Sequence, residues 1–412
     1  MKKSILLFIA VIVLLLNCSA NNPLTKVKLS TGDNVTKQIK VRIPTIAWIG
    51  VPENQTNLAA YQDMAAAGIT QSYYPFSSIQ AMDKALALAQ KSNIKLYVAC
   101  PELTSNPEAT VKHFMNNPAV AGYFIKDEPG AGEFASLAAK IKVIRAIDSK
   151  HICYVNLLPN FATPGQLGAT NYQDYLNKYI SEVHTPYLSF DHYPIIGTTN
   201  VSIRPEWYQN LELVAATTKR HNTPFWAFAL STSFSPYPMP NLAMLRLQVY
   251  SDLAYGAQAI QYFTYLTLYD PTVGNFNNAP LVNNGDAKTP VYKLVQEMNR
   301  EISALSGVFV GCKMSNVYFT GPLPNGTKPL QILPKPIRFV KTTGLGALVS
   351  FINNKSSSYM VVVNRDFTKN MNLTLNCAAG VSRILKNGSS TAQAQGVKTI
   401  VVEPGDIAIY KW

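Results

Sequence analysis

The sequence predicts an α/β fold, a parallel (β/α)8 barrel followed by a small C-terminal antiparallel β-sandwich. Eight short apolar runs, most of them followed by a helical stretch, lie between residues 41 and 306, close to the length of about 250 residues that such a barrel takes. Several of the runs are apolar throughout, as strands buried on both faces of a parallel sheet are. From residue 307 the pattern changes to strand-like runs separated by turn signals, so we expect a sandwich over 307–412.

Each of the eight predicted barrel strands precedes a helical or loop segment. We expect strands at 41–49, 69–74, 94–99, 123–125, 151–157, 187–190, 224–230 and 259–264. We expect helices at 58–67, 79–92, 111–116, 134–148, 207–219, 242–255 and 291–305. A doubly wound open sheet is the alternative, but no glycine-rich phosphate loop follows the first strand to favour it.

The predicted sandwich rests on strand-like runs at 346–352, 359–363, 371–375, 399–402 and 407–410. Asn-Gly at 387–388 and Pro-Gly at 404–405 are turn signals between them.

The N-terminal residues predict export and a lipid anchor. Lys2 and Lys3 precede an apolar run at 5–16, which is shorter than a membrane span and fits a signal peptide. The run closes on Leu-Leu-Asn-Cys, which resembles a bacterial lipobox with Cys18 as the lipidated residue; an ordinary secretory signal is the alternative. We expect residues 1–17 to be the signal peptide and 18–40 a tether. Lipid on Cys18 would hold the protein on the outer membrane of the cell envelope, facing either the periplasm or the outside.

Composition narrows the function classes. The formal net charge is +13, but the lysines are dispersed and no nucleic-acid motif is present, so no nucleic-acid partner is expected. The cysteine spacing matches no zinc motif, and we expect neither a metal nor a cofactor. Whether Cys312 and Cys377 form a disulfide stays open at this level.

The carboxyl ends of the strands hold the candidate site residues, because active sites of (β/α)8 barrels lie there. Strand four ends in Lys126, Asp127 and Glu128 before Pro129, and strand six leads to Asp191. The other strand ends supply aromatic, amide, imidazole and acidic side chains as candidate substrate contacts: Trp48, Glu102, Asn156, His192, Tyr193, Trp226, Gln261, Tyr262 and Tyr265.

Carboxylates set among aromatic rings are the groups that cleavage of a glycosidic bond requires. One carboxylic acid donates a proton to the leaving oxygen, and a second carboxylate acts as the nucleophile or as the base for a water. Asp127 is a candidate ligand contact or a partner of Lys126. The alternative for Glu128 is a structural role, in which it caps the following helix and is favoured there by the helix dipole.

Four stretches resemble the clan-A-like barrel glycoside hydrolases, akin to the family 42 β-galactosidases and related Bacteroidetes lipoproteins. They are GYFIKDEPG at 122–130, SFDHYP at 189–194, FWAF at 225–228 and LAYGAQAIQYFTY at 253–265. In that clan the acid/base Glu follows strand four, usually in an Asn-Glu-Pro context. The resemblance implies that Glu128 is this residue, with Asp127 in the place of the Asn.

The sequence departs from the clan at strand seven, where the clan carries its nucleophilic Glu. Residues 225–232 contain no acid. Asp191 is the best substitute for the second carboxylate by its position, and Glu206 and Glu102 are weaker ones.

We therefore expect a glycoside hydrolase that cleaves a poly- or oligosaccharide by carboxylate acid/base chemistry, with Glu128 as the general acid and Asp191 as the second carboxylate. The missing strand-seven acid supports an alternative, a non-catalytic glycan-binding lipoprotein on a degenerate barrel.

Overall fold

The structure is a computed structural model that describes residues 42–270, 274–275, 279–281 and 287–412, the residues at 269, 270, 274 and 275 by their backbone alone. Val41–Trp412 forms one compact unit. The predicted signal peptide, the tether and Cys18 lie outside the described residues. The predicted domain boundary between residues 306 and 307 stays a prediction.

Eight parallel strands form the barrel. In chain order they are β1 Thr45–Trp48, β2 Gln71–Tyr73, β3 Lys95–Val98, β4 Val120–Asp127, β5 Ile152–Asn156, β6 Leu188–Phe190, β7 Phe225–Leu230 and β8 Ala259–Phe263. Their order in the sheet is β5-β4-β3-β2-β1-β8-β7-β6. A parallel bridge between Leu157 and Phe190 joins the two edges. The predicted (β/α)8 barrel is confirmed, and the open doubly wound sheet is wrong.

Helices connect the strands and cover the barrel. They are α1 Leu58–Ala66, α2 Ile79–Lys91, α3 Glu102–Ser105, α4 Pro107–Phe114, α5 Phe134–Ile147, α6 Pro164–Leu167, α7 Tyr172–Val183, α8 Trp207–His221, α9 Leu242–Ala254, α10 Pro290–Ala304 and α11 Ser306–Phe309. Several begin where the sequence provides a cap: the side chains of Asn57, Ser78 and Asn241 each accept a hydrogen bond from a backbone N–H in the first turn. Such caps satisfy donors that the helix itself leaves free.

Two of the differences between the predicted and the observed elements bear on the site. β4 is longer than the predicted strand 123–125 and includes Asp127, so this carboxylate is held by the sheet rather than by a loop. α7 was not predicted at all. Its buried residues nevertheless recur at helical spacing: Tyr172, Tyr175, Leu176, Tyr179 and Val183.

The C-terminal strands form two packed antiparallel sheets. They are β9 Lys313–Phe319, β10 Ile337–Thr342, β11 Ala347–Asn354, β12 Ser357–Asn364, β13 Met371–Cys377, β14 Ser382–Ile384, β15 Ser390–Ala392, β16 Gly396–Val402 and β17 Ile407–Lys411. One sheet has the order β9-β11-β12-β17-β14-β15, and the other β10-β13-β16. The predicted sandwich is confirmed. Two short hairpins, Ile195–Ile196 with Ser202–Ile203 and Tyr269–Asp270 with Gly274–Asn275, lie in barrel loops.

The barrel and the sandwich share part of one hydrophobic core. Leu348, Val361 and Ile409 of the sandwich belong to the same buried cluster as the barrel helices, while the space between the two sheets forms a second cluster. Close approach also occurs at Gly405, whose φ of 66° lies in the left-handed region. A Cβ there would lie 2.1 Å from the carbonyl oxygen of Ala243 on α9, so only glycine fits this contact.

The four cysteines within the described residues are free thiols, namely Cys100, Cys153, Cys312 and Cys377. Cys312 and Cys377 belong to different hydrophobic clusters, which answers the question of a disulfide left open by the sequence. Within the same part of the chain no helix is long and apolar enough to cross a membrane.

A buried ion pair links α9, α10 and the sandwich. Arg246 donates to both oxygens of Glu301, at 3.1 Å from Nε and 2.5 Å from Nη2, and Tyr250 donates to the same carboxylate. Arg246 also lies 3.3 Å from Glu403 and 3.9 Å from Asp406 in the sandwich. The Glu301 side chain is fully buried, so its charge depends on these partners.

We expect Glu301→Ala to lower the free energy of unfolding by about 3–5 kcal/mol, because it leaves the Arg246 charge largely buried without its main partner. Chemical denaturation at neutral pH measures the loss. Glu297→Ala is the matched control on the same helix, since Glu297 pairs with Arg300 at the surface and its loss is expected to cost less than about 1 kcal/mol. Equal losses in the two variants would contradict this role for the buried pair.

Candidate active site

Three carboxylates meet at the carboxyl ends of neighbouring strands. Asp127 ends β4, Asn156 ends β5, and Asp191 follows β6. The side-chain nitrogen of Asn156 donates to Asp127 Oδ1 at 3.1 Å and to Asp191 Oδ1 at 2.8 Å. Because one nitrogen serves both, these two oxygens are no more than about 6 Å apart.

Glu128 lies beside this pair in an unusual backbone conformation. Its φ is 46°, in the left-handed region, and its N–H donates to the carbonyl oxygen of Asn156 at 2.8 Å. The carboxyl groups of Glu128 and Asp191 lie within hydrogen-bonding reach of each other, a contact that raises the pKa of Asp191 and lowers that of Glu128. Left-handed backbone is unfavourable for a residue with a long side chain, and strain of this kind is concentrated at functional sites.

The environment keeps the three carboxyl groups from ionising together. Burial raises the pKa of Asp191 well above its usual range, and the charges of Glu128 and Asp127 raise it further. Burial, and then the Asp127 charge, raise the pKa of Glu128. Burial also raises the pKa of Asp127, although the hydrogen bond from Asn156 and the charge of Lys126 act in the opposite direction. The cluster therefore retains a proton on its Glu128–Asp191 pair at a pH where isolated carboxyls have lost theirs.

The carboxylates are reachable from solvent although protein surrounds them. Asp127 and Glu128 are exposed, and Asp191 is half-buried. The surrounding protein raises the pKa values of these groups, while their exposure leaves them within reach of a substrate.

A chain of hydrogen bonds inside the barrel fixes Asn156. Ser189 Oγ donates to Asn156 Oδ1 at 2.9 Å, and Gln261 Nε2 donates to Ser189 Oγ at 2.8 Å. The hydroxyl of Tyr154 donates to Gln261 Oε1. Gln261 is thus a positioning group within the barrel rather than a rim residue. With its oxygen engaged by Ser189, Asn156 presents its amide N–H groups to the two aspartates.

Aromatic rings fill the barrel interior beneath the carboxylates. The Trp48 ring centroid lies 4.6 Å from that of Tyr73, 5.6 Å from Phe124 and 5.3 Å from Phe228. Trp48 is only 5% exposed, so as the structure stands it packs the floor of the mouth rather than presenting an open ring face. Tyr193 packs against Phe228 and Phe263 beside this floor and remains half-buried.

His192 follows Asp191 but faces different neighbours. It is 1% exposed, and neither ring nitrogen reaches a hydrogen-bond partner on another residue. Its ring contacts Phe161 at 5.1 Å between centroids. Burial, and then the positive charge of Arg204, lower the pKa of His192 to about 3, so the imidazole is neutral at ordinary pH.

Four of the candidate substrate contacts lie elsewhere. Trp226 is near the start of β7, at the amino-terminal end of the barrel, where it stacks on Tyr187 at 4.0 Å. Tyr262 points outward and donates to Asn299 of α10. Tyr265 is fully buried in the main core. Glu102 begins α3 and accepts from the N–H of Ile79 at 3.4 Å. These positions contradict the prediction that the four side chains line the mouth.

The end of β7 carries no carboxylate, as the sequence indicated. Leu230 ends the strand, and Ser231 Oγ, fully buried, donates to the carbonyl oxygen of Thr264 at 3.0 Å. The sequence reasoning missed Ser189 and Tyr154, although each precedes a predicted site residue by two positions on the same strand face, which is the signal that could have found them. Among the described residues no group of three or more His, Cys, Asp or Glu side chains could hold a metal ion.

Comparisons with known proteins place the chain among similar barrel folds. Residues 135–305 match the glycoside hydrolase family 42, described as β-galactosidase. No curated protein matches the chain in sequence. A family 39 glycoside hydrolase from Bacteroides cellulosilyticus WH2 superposes with a TM-score of 0.54 at 8% identity, covering 90% of this chain and 80% of that one. This likeness shows a shared fold.

Two β-galactosidase structures are also similar. That from Marinomonas ef1 has a TM-score of 0.48 at 10% identity, covering 64% of this chain and 60% of that one. That from Halorubrum lacusprofundi has a TM-score of 0.47 at 13% identity, covering 65% and 59%. The chain thus spans about three fifths of the length of these two enzymes.

The predicted resemblance to barrel glycoside hydrolases is confirmed, and the activity of the protein stays a prediction. The roles of individual residues, the substrate and the membrane anchor stay predictions.

We expect Asp127→Asn to lower the pKa of Glu128, because the aspartate charge is the second-largest cause that raises it. Carbon-13 NMR of the Glu128 carboxyl against pH measures this directly and needs no substrate. Asp83→Asn is the control, since Asp83 is a surface carboxylate on α2 that pairs with His113; it should leave the Glu128 titration unchanged. An unchanged Glu128 pKa in Asp127→Asn would contradict the coupling.

Proposed function

We propose that the carboxylate cluster cleaves O-glycosidic bonds in a poly- or oligosaccharide, and that Glu128 delivers the proton to the leaving oxygen. The observation that carries this is the meeting of Asp127, Glu128 and Asp191 at the carboxyl end of a barrel of this family. Glu128 is exposed at the mouth, has a raised pKa and contacts a protonated carboxyl. A general acid with a pKa near the working pH meets the first requirement of the reaction.

Glu128 and Asp191 act in this proposal as one proton-holding pair. Two carboxyl groups in hydrogen-bond contact are too close to lie on opposite sides of a scissile bond, where separations of at least about 5 Å are needed. Asp191 holds the proton in the resting state. That proton passes from Asp191 to Glu128 along their hydrogen bond and from Glu128 to the leaving oxygen, which leaves both carboxyls ionised. Asp191 thus participates through Glu128 rather than by direct attack.

Asp127 supplies the charged carboxylate of the proposed site. Its oxygen is fixed by Asn156, and both this hydrogen bond and the charge of Lys126 oppose its protonation. It stabilises positive charge at the anomeric carbon, as nucleophile or electrostatically. In the clan, a Glu after strand seven has this role. Here Asp127, at the end of β4, would have it instead.

A glycan-binding protein without catalysis is the second candidate function. The observation that favours it is the end of β7, where Leu230 and Ser231 occupy the region of the clan's nucleophile. Binding of an oligosaccharide with no release of product, at every pH tested, would support it.

We further propose that lipid on Cys18 anchors the protein to the outer membrane of the cell envelope. The support is the sequence alone, a short apolar run that closes on a lipobox-like cysteine. The anchor leaves the barrel free to meet a carbohydrate on either face of the membrane.

We expect Glu128→Gln to lower kcat/KM by about 10²–10⁴-fold on a natural-type glycoside, because the amide cannot donate the proton. The loss should be much smaller on a dinitrophenyl glycoside of the same sugar, whose leaving group needs no protonation. Steady-state kinetics on both substrates measure the two effects.

Glu133→Gln is the matched control for that variant. Glu133 follows in the same loop and pairs with Lys126 at the surface, so activity should stay near that of the wild type. Undiminished turnover of both substrates by Glu128→Gln would refute its role as the acid.

We expect Cys18→Ser to release the protein from the membrane fraction, because serine cannot accept the thioether-linked lipid. Fractionation of cells fed a radioactive fatty acid measures both localisation and label. Cys100→Ser is a control within the mature chain and should remain labelled. Labelled, membrane-bound Cys18→Ser would count against the anchor.

A further inference from the structure

A groove beside the mouth offers a binding surface that the proposed chemistry does not use. It lies between the loop that precedes α8 and the loops of the sandwich, with a volume of about 550 Å³, within the range of about 300–1,000 Å³ typical of ligand sites. Its lining residues include Arg204, Tyr208, Leu323, Arg365, Phe367 and Lys369.

The half-buried Arg204 has no acidic partner in the described part of the chain, a property that it shares with the buried Arg365. Among the described residues its guanidinium forms no ion pair, whereas Arg246 and Arg300 each contact a glutamate. Its hydrogen bond runs from Nη2 to the hydroxyl of Tyr237 at 3.4 Å, and its Nε is buried without a partner. Burying part of a cation without a neighbouring anion costs free energy, because the cation loses hydration. A bound anion would offset that cost.

Aromatic rings hold the Arg204 guanidinium in place. Its central carbon lies 4.6 Å from the centroid of Phe161 and 5.9 Å from that of Tyr237. Because these rings already restrict the side chain, Arg204 loses less conformational entropy when it binds a ligand. Its N–H donors are held in place before the ligand binds.

Packed side chains connect Arg204 with residues next to the carboxylate cluster. The charge of Arg204 acts on His192, whose ring contacts Phe161 and whose chain neighbour is Asp191. The ring of Tyr237 lies 5.7 Å from that of Tyr193. A chain of sugar units seated at Glu128 would extend past these side chains to reach Arg204.

The charge balance of the groove is positive. Lys369 is exposed at its edge, and Arg365 donates through Nη1 to the carbonyl oxygens of Thr320 and Pro322 as part of the wall. The lining also contains Asp366, but its Oδ1 accepts from the N–H groups of Thr368 and Lys369 in its own turn.

We propose that this groove is a subsite for an anionic unit of the carbohydrate, a sugar carrying a carboxylate or a sulfate group, with Arg204 as its anion-binding residue. Guanidinium groups bind both anions through paired N–H donors. The proposal rests on the proposed function, and it narrows the substrate class to acidic poly- or oligosaccharides.

Calorimetric titration of the mature chain tests the subsite with three tetrasaccharides. They are a tetragalacturonate, a sulfated galactotetraose and a neutral galactotetraose. At least one acidic probe should bind about tenfold or more tightly than the neutral one, the gain expected of a charge-assisted hydrogen bond. The probe that binds identifies the carboxylate or the sulfate as the group recognised, and added salt should reduce the preference.

Arg204→Gln should abolish the preference for the acidic probe while leaving the affinity for the neutral one unchanged. Arg338→Gln, an exposed arginine of the sandwich outside the groove, is the matched control and should retain the preference. Thermal unfolding of both variants establishes that each is folded.

Equal affinity for acidic and neutral probes, no binding of any probe, or a preference that survives in Arg204→Gln would each overturn the subsite. The same probes incubated with the enzyme separate this proposal from the function. Arg204-dependent binding without cleavage supports the subsite and counts against glycoside hydrolysis. Cleavage of neutral glycosides without tighter binding of the acidic probes supports glycoside hydrolysis and counts against the subsite.

Discussion

The structure of the mouth depends on one amide, the side chain of Asn156, which holds two aspartates within reach of each other. Asp127 and Asp191 come from strands on either side of β5, and each accepts from the same nitrogen. With Glu128 bonded to Asp191, three acids occupy a space in which like charges repel strongly. The cluster lowers that repulsion by retaining one proton at a pH where isolated carboxyls are ionised. A general acid needs such a bound proton.

The rest of the fold serves to hold that amide. Ser189, Gln261 and Tyr154 connect β5, β6 and β8 across the barrel, so Asn156 cannot turn away. Beneath them the aromatic rings around Trp48 exclude water from the barrel interior, which raises the pKa values of the acids above. The sandwich meets the barrel helices through a shared core and the Arg246–Glu301 pair, and its loops form one wall of the groove at Arg204.

Much of the fold could be predicted because strands and helices leave periodic signals. The site was harder to predict, since a strand end does not by itself say which face a residue occupies. Gln261 points into the barrel and its neighbour Tyr262 points to α10, as alternation along a strand requires. Trp226 lies four residues before the end of its strand and so falls at the opposite end of the barrel. The sequence did not single out Arg204, because its proposed role depends on having no acidic side chain nearby, and only the three-dimensional structure shows that.

The most direct test of the account is an infrared difference spectrum of the carboxyl groups at neutral pH, comparing the wild type with Asp191→Asn. The account predicts a protonated carboxyl band in the wild type that disappears in the variant, because the shared proton resides on the Glu128–Asp191 pair. A wild-type spectrum in which every carboxyl is ionised at neutral pH would contradict it, since the cluster would then have no proton to donate.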